Sequence, residues 1–224
     1  MTEAALPGAR AMKRSGPIDP WPLYGWMRVV MGAAIAVLTW MLALTASISI
    51  TKGDLWTWRP EQIQTLASLI AYSQVLNVAL LIASLVVSAR MTYRTMSNVH
   101  QLKGNDGQVE AAWSVAWYAV PVANLVMPPR AVRNIWSGTF GDGDESRRRS
   151  SAIWWWWGCA LVSITLYQVQ LRASLAIGLI PPEIGDIANP ASYAFAAAGT
   201  FIFLGIFRRI ARGQSLLIQR ATKS

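Results

Sequence analysis

Four long runs without a charged side chain constrain the fold more than any other feature of this chain. Each run is 21 to 28 residues long, and a helix needs about 20 apolar residues to cross the hydrocarbon core of a bilayer. Lys and Arg residues lie at the ends of the runs, as is typical of membrane helices. The runs cover residues 29–51, 62–89, 150–171 and 187–207. They predict an all-α membrane protein with four transmembrane helices.

The composition supports a membrane protein and argues against other classes. Hydrophobic residues make up 54% of the chain and charged residues 14%, whereas a globular domain carries about 25% charged residues. The net charge of +9 comes from residues that flank the runs, so it indicates contact with anionic phospholipids rather than with nucleic acid. Cys159 is the only cysteine, which excludes an internal disulfide and a cysteine metal cluster.

A fifth apolar segment, residues 111–129, has a different character. Pro121 interrupts any helix there, since an internal proline removes a hydrogen bond and costs about 3 kcal/mol. Pro128 and Pro129 stop a helix that restarts. A broken backbone cannot face lipid, so this segment is expected to be re-entrant or interfacial. It is expected to continue into a short amphipathic helix over 130–137, with Arg and Asn on one face and Val, Ile and Trp on the other.

The distribution of basic residues predicts the orientation. If four runs cross and 111–129 does not, 17 of the 20 Lys and Arg residues fall on one side of the membrane. The positive-inside rule makes that side the cytoplasm and places both termini there. The predicted organisation is a disordered cytoplasmic tail (1–25), a four-span domain (26–210) and a basic cytoplasmic tail (211–224). Within the domain, the spans are expected at about 27–51, 63–90, 152–172 and 190–207, separated by a re-entrant or interfacial stretch at about 111–137 and by outer loops at 52–61 and 181–190.

A spaced set of polar, proline and aromatic residues gives the candidate binding positions. Arg94 and Asn98 share a helix face and could hold an anionic head group. The favoured interpretation is structural: Arg94 extends towards the membrane surface, and Asn98 hydrogen-bonds the broken backbone of 117–128. Asn124 is likewise expected to cap freed amides. The full set is Tyr93, Arg94, Asn98, Trp117, Pro121, Asn124, Pro128 and Trp136.

Nothing in the sequence indicates catalysis. No nucleophile triad, Walker-type loop or zinc motif occurs, and the four runs contain no acidic residue of the kind that carries protons in pumps. The chain is tryptophan-rich, but Trp154 to Trp157 point around all sides of a helix, so they fit an interfacial belt better than a ligand cage. We therefore predict no catalytic residue, no metal and no cofactor.

The spaced motif resembles an uncharacterised bacterial family of multi-pass membrane proteins, the domain of unknown function 4328. The similarity covers mainly residues 90–160 and is carried by Tyr-Arg-x-x-x-Asn-x-x-x-Leu, Pro-x-x-Asn-Leu-x-x-Pro and a downstream Ile-Trp. In this chain these are Tyr93, Arg94, Asn98 and Leu102, then Pro121, Asn124, Leu125 and Pro128 after Trp117, then Ile135 and Trp136. The resemblance implies a location in the bacterial inner membrane and brings no activity with it.

The sequence favours two functions, and a lipid-modifying enzyme is a weaker third for which no nucleophile or general base can be named. The first is a non-catalytic accessory or scaffold protein whose cytoplasmic face binds a partner or anionic lipid, since polar motifs are confined to that side. The second is a small transporter or channel gated by the broken segment 111–129. A membrane-protein partner or a homo-oligomer is expected in either case, because four spans form a limited core.

Overall fold

The described part of the chain is almost entirely helical. In a computed structural model, these residues form α1 (Trp21–Thr51), α2 (Pro60–Lys103), α3 (Met127–Phe140), α4 (Ser151–Ser174) and α5 (Pro182–Ala221). The same residues contain no strand. The predicted all-α fold is therefore confirmed. The structure describes residues 16–51, 58–103, 111–112, 126–141, 143–144, 146, 150–175 and 180–223.

The four long helices run alternately up and down. The start of α1, the end of α2, the start of α4 and the end of α5 pack together at one end of the bundle, which we call the core end. At the opposite, far end, Ser49 of α1 contacts Asp186 of α5. There, a Cβ added to Gly185 of α5 would lie 2.8 Å from the Cβ of Ala173 in α4. The short helix α3 lies at the core end against α2, α4 and α5.

Three of these helices, α1, α2 and α5, are long and apolar enough to cross a membrane. In the most apolar part of α2 no residue is buried inside the chain, so its side chains require an apolar surrounding such as lipid. The protein is therefore a membrane protein. Helix α4 is 24 residues long but has four tryptophans in its first two turns, and Gln168, Gln170 and Arg172 lower its hydropathy further on.

The hydrophobic core is concentrated at the core end. Met27, Met91 and Phe207, from three different helices, are completely buried there. Trp156 of α4 stacks on Phe203 of α5 with ring centroids 4.5 Å apart, a favourable aromatic separation. The core also includes Tyr24, Met31, Met96, Val132, Ile135, Trp136, Ile153, Trp157, Ile206 and Ile210.

Single hydrogen bonds join the helices farther along the bundle. The Gln74 amide of α2 donates to the Tyr193 hydroxyl of α5 at 2.8 Å. The Ser163 hydroxyl of α4 donates to the Ser192 carbonyl of α5 at 2.9 Å. Side-chain bonds of this kind are common between helices in membranes, and here they fix the register of α5 against two neighbours.

The start of α5 differs from the sequence-based expectation. We expected an outer loop over 181–190, but the helix begins at Pro182 and Pro190 lies inside it. A proline deprives the carbonyl four residues earlier of its helical donor, and that carbonyl belongs to Asp186. The Ser49 hydroxyl of α1 donates to the Asp186 carbonyl at 3.2 Å. A neighbouring helix thus supplies a hydrogen bond where the proline removes one.

Both expected tails are partly structured. The stretch 211–224 was predicted to be a tail, yet α5 continues to Ala221 because its residues Ala211 and Gln214 are buried against other helices. At the other terminus, helix α1 begins at Trp21, within the region predicted to be disordered, and Pro20 is buried. Residues 1–15 lie outside the described part.

Glycines permit close helix contacts in two places at the core end. A Cβ added to Gly138 of α3 would lie 2.9 Å from Cγ2 of Val99 in α2, with Cγ1 nearer still. A Cβ added to Gly213 of α5 would lie 2.8 Å from Phe140 Cε1 in α3. Only a residue without a side chain fits at these distances, so the two glycines set the position of α3.

We predict that Gly138→Ala lowers the free energy of unfolding by about 1–3 kcal/mol, because the added methyl overpacks the contact with Val99. The measurement is thermal unfolding of the purified protein in detergent. Adding Val99→Ala should recover most of the loss. Gly158→Ala is the matched control, since nothing lies within 4 Å of a Cβ there. Equal stability of Gly138→Ala and the control would contradict the close contact.

Candidate functional site

Helix α3 is positioned by its two ends. Pro128 and Pro129 occupy its first turn, where a missing backbone N–H is harmless and the fixed φ suits a helix. The helix stops at Gly141, which adopts a φ of +81°, a value that favours glycine. The Gly141 N–H donates to the Ser137 carbonyl at 2.8 Å. These local features produce one short helix at the core end.

The two faces of α3 differ sharply. Val132 and Ile135 are completely buried, whereas Arg130 and Arg133 are exposed. The predicted amphipathic helix is therefore present, and it is longer than the expected 130–137. Because its apolar face is anchored in the core, the two arginines are presented from a fixed surface. We call this outward side the α3 face, defined by Arg130 and Arg133.

Trp136 connects α3 to residue 146. Its side chain is 4% exposed, and its indole Nε1–H donates to the Ser146 carbonyl at 3.2 Å and to the Ser146 hydroxyl at 3.1 Å. The ring also stacks on Phe140 with centroids 4.7 Å apart. A buried indole N–H needs a partner, and here the partner ties residue 146 to α3.

Asn98 forms the centre of a buried polar cluster beneath α3. Its amide Nδ2 donates to the Ile18 carbonyl at 2.9 Å and to Gln214 Oε1 at 3.0 Å. Its Oδ1 accepts from the Ile18 N–H at 3.1 Å. The side chain is 2% exposed. Asn98 thus pairs with the backbone before α1 in the manner of a strand and joins it to α5.

Gln214 extends the same cluster to α3. Its Nε2 donates to the Thr95 carbonyl of α2 at 2.9 Å and to the Thr139 hydroxyl of α3 at 3.2 Å. The Thr139 hydroxyl then donates to the Ile135 carbonyl at 2.7 Å. Gln214 is completely buried. Both N–H bonds of each amide are used, so the amide cluster, meaning Asn98, Gln214 and Thr139, leaves no amide donor unpaired.

The amide cluster is a structural device rather than a reactive one. Amide side chains do not titrate and are poor nucleophiles, so this geometry offers no acid, base or attacking group. Within the described residues, no group of three His, Cys, Asp or Glu side chains could hold a metal ion. What the cluster can do is hold four segments in one arrangement, because breaking it would expose buried donors without partners.

The structure places the predicted site residues in different surroundings. Pro128 and Trp136 are buried in α3, and Asn98 is buried in the amide cluster. Tyr93 is exposed and Arg94 half-buried on α2, and Arg94 contacts no carboxylate among the described residues. Trp117, Pro121 and Asn124 lie outside the described part, as does most of the expected re-entrant segment.

One expectation about Asn98 is corrected by this geometry. We expected its side chain to hydrogen-bond the backbone of 117–128. Both of its amide donors instead bind Ile18 and Gln214, so neither donor is available to that segment. The N–H and C=O of Ile18, in the segment before α1, match the Asn98 amide as a pair.

Gln214 is a site residue that the sequence analysis missed. It was assigned to a tail because Arg212 and Arg220 flank it. A signal was present: Phe203, Phe207, Ile210 and Gln214 recur at the three- and four-residue spacing of one helix face. A polar residue that continues an apolar stripe is a candidate for a buried hydrogen bond.

We predict that Gln214→Leu destabilises the protein by about 2 kcal/mol, because it leaves an Asn98 N–H buried without an acceptor. The control is Gln219→Leu, an exposed glutamine on the same helix, which should change the stability little. Combining Asn98→Leu with Gln214→Leu should cost less than the sum of the single changes. Strict additivity, measured by thermal unfolding in detergent, would show that the two amides do not interact.

Comparison with known proteins gives a family but no activity. The model of the family described as "Domain of unknown function (DUF4328)" matches residues 56–212, which is more than half of the chain. The match extends beyond the 90–160 stretch that carries the resemblance in sequence. It includes all of α2 and continues to Arg212 of α5. Searches among curated proteins and among solved structures found no match. The chain belongs to the DUF4328 family.

Proposed function

We propose that this protein is a non-catalytic accessory or scaffold protein of the bacterial inner membrane. Its cytoplasmic side, which we equate with the core end, binds a membrane-protein partner or anionic lipid through the α3 face. The observation that carries this function is the rigid mounting of Arg130 and Arg133 on a helix whose other side is buried. A fixed basic surface suits binding rather than turnover.

Four transmembrane helices are part of the same proposal. Trp156 of α4 packs beside Phe203, and Ala173 of α4 lies beside Gly185, so α4 runs along 18 residues of α5. At 1.5 Å per residue this distance is about 27 Å, close to the thickness of the hydrocarbon core. The chain must therefore travel from the core end to the far end before α5 begins. This favours α4 as a further crossing.

The distribution of arginines supports the orientation. Most exposed arginines lie in or beyond the core half of the bundle, whereas Arg59 and Arg172 lie towards the far end. Those in or beyond the core half include Arg90, Arg130, Arg133, Arg208, Arg209, Arg212 and Arg220. The positive-inside rule then makes the core end cytoplasmic, with both termini on that side.

Charge reversal on the α3 face tests the function. In Arg130→Glu/Arg133→Glu, both changes are exposed, so the fold should survive while partner or anionic-lipid binding falls at least tenfold through like-charge repulsion. The measurement is native mass spectrometry of the protein extracted gently from its own membrane. Arg59→Glu is the control, since it is exposed at the far end. Unchanged association in the α3 variant would overturn the proposal.

The four-span topology is tested by single cysteines in a Cys159→Ala background. We expect Arg59→Cys and Glu183→Cys to react with an impermeant thiol reagent from outside the cell, and Arg133→Cys and Lys223→Cys to react from the cytoplasm. All four positions are exposed, so burial does not limit labelling. Reaction of Glu183→Cys from the cytoplasmic side would contradict the crossing by α4.

A small transporter or channel is a second candidate, and one cavity favours it. A cavity of about 220 Å³ near the far end is lined by Thr45, Gln74, Gln170 and Asn189, among others. Amide and hydroxyl groups facing a cavity inside a bundle are typical of substrate paths. Labelling of Gln74→Cys from both sides of the membrane would support transport. If Gln74→Cys cannot be labelled from the cytoplasmic side in any condition, transport is excluded and the accessory function remains as the proposal.

A further inference from the structure

A groove at the core end runs along α5 beside α3. It encloses about 900 Å³ and is lined by Trp136, Phe140, Arg209, Arg212 and Leu216, with Gly213 and residues 143 and 146 at its edge. A smaller apolar slot of about 170 Å³ continues from it. Trp136 and Arg209 line both spaces, so the slot lies directly beside the groove.

The groove presents two arginines that form no ion pair with the residues that the structure describes. Arg209 and Arg212 are three residues apart, so their side chains lie on the same side of α5. Both are exposed, and no carboxylate among the described residues forms an ion pair with either. Guanidinium groups bind phosphate with two parallel N–H bonds each. An anion between them would therefore relieve their mutual repulsion and use donors that are otherwise left to water.

The slot supplies an apolar path away from these charges. It is lined by Phe201, Ile202, Gly205 and Ile206, and nothing lies within 4 Å of a Cβ built at Gly205. From Arg209 back to Phe201 is eight residues, or about 12 Å along the helix axis. That length covers most of one leaflet of a hydrocarbon core about 30 Å thick. Phe201 is 71% exposed, so the path is open towards lipid.

Together these features describe the outline of an amphiphile. A free phosphate would use Arg209 and Arg212 but leave the slot empty, and an acidic peptide would not extend an apolar chain to the depth of Phe201. A phospholipid places its phosphate at the membrane surface and its acyl chain below. Trp136, fixed by its bonds to Ser146, stands where the two parts meet, as tryptophans do at bilayer interfaces.

We propose that this groove binds one anionic phospholipid of the cytoplasmic leaflet. The phosphate lies between Arg209 and Arg212, and one acyl chain occupies the slot at Gly205. This site rests on the proposed function, because it lies on the same cytoplasmic side. It adds to that function a specific class of lipid and a second binding position. It differs from the α3 face in holding a single molecule in a shaped cavity.

The test uses the full-length protein in nanodiscs of phosphatidylcholine containing a minor fraction of phosphatidylglycerol. Native mass spectrometry counts the phosphatidylglycerol that stays bound after release from the disc. We expect one retained molecule for the unchanged protein. Arg209→Gln/Arg212→Gln should lower its retention at least tenfold, as the loss of charge-assisted bonds implies. Gly205→Leu should lower it too, since the side chain fills the slot.

Matched controls separate the groove from general charge and packing effects. Arg90→Gln/Arg220→Gln removes two exposed arginines from the same side of the membrane and should keep the lipid. Gly32→Leu adds the same side chain where nothing lies within 4 Å of a Cβ and should also keep it. If the arginine variant fails to fold, Gly205→Leu still decides, because it leaves both charges in place.

Other outcomes overturn the lipid site. Displacement of the lipid by inorganic phosphate at equal concentration, together with full retention in Gly205→Leu, would identify a soluble-anion site instead. Equal loss in Arg90→Gln/Arg220→Gln would show nonspecific attraction.

The Arg130→Glu/Arg133→Glu variant distinguishes this site from the proposed function: it should lose the partner but keep the groove lipid. If only the groove variants lose the lipid, and the Arg130→Glu/Arg133→Glu variant keeps its partner, the lipid site in the groove is supported. The binding role proposed for the α3 face is then wrong.

Discussion

The hydrogen bond between the amides of Asn98 and Gln214 joins residues 116 positions apart in the chain. Each amide uses its remaining groups to hold a further segment, the backbone at Ile18 in one case and Thr139 of α3 in the other. Since both amides are buried, water cannot replace any of these bonds. The relative positions of α2, α3 and α5, and the entry of the chain into α1, therefore depend on this one contact.

Such a contact matters more in a membrane than in a soluble protein. Lipid tails are as apolar as the side chains of α2, so burying those side chains against another helix gains little. Register must come from close packing and from hydrogen bonds, such as the one from the Trp40 indole of α1 to the Ser73 hydroxyl of α2 at 3.1 Å. At the far end the same role passes to Ser49, which compensates for Pro190. Polar groups in this bundle thus specify geometry that hydrophobicity leaves undetermined.

Some of this structure could be predicted from the sequence because it depends on local properties. The charge-free runs predicted the long helices, and the spacing of Arg130, Val132 and Ile135 predicted the amphipathic α3. Each of these follows from residue type and helical period alone.

The rest required knowledge of what each residue meets. In the sequence, Pro190 predicts a loop because a proline breaks an isolated helix, and only a donor from another helix makes it acceptable inside α5. The sequence around Gln214 predicts a charged tail because its partners, Asn98 and Thr139, are far away in sequence. A long-range hydrogen bond leaves no local pattern, so a buried amide is identified only once the helices are placed.

The uneven distribution of packing bears on how the protein can act. Most of the large buried side chains and the amide cluster occupy the core end, whereas Met41 and a few hydrogen bonds join the far half around the cavity lined by Gln74 and Gln170. A ligand that binds at the rigid end meets side chains already in place: Trp136 is fixed by Ser146, and Gly213 holds α5 against Phe140. Binding there costs little ordering, which favours affinity over conformational change. A switch needs two arrangements of similar free energy, and an amide cluster with every donor paired strongly favours one. The core end is therefore better suited to holding a ligand in place than to transmitting a signal across the bundle.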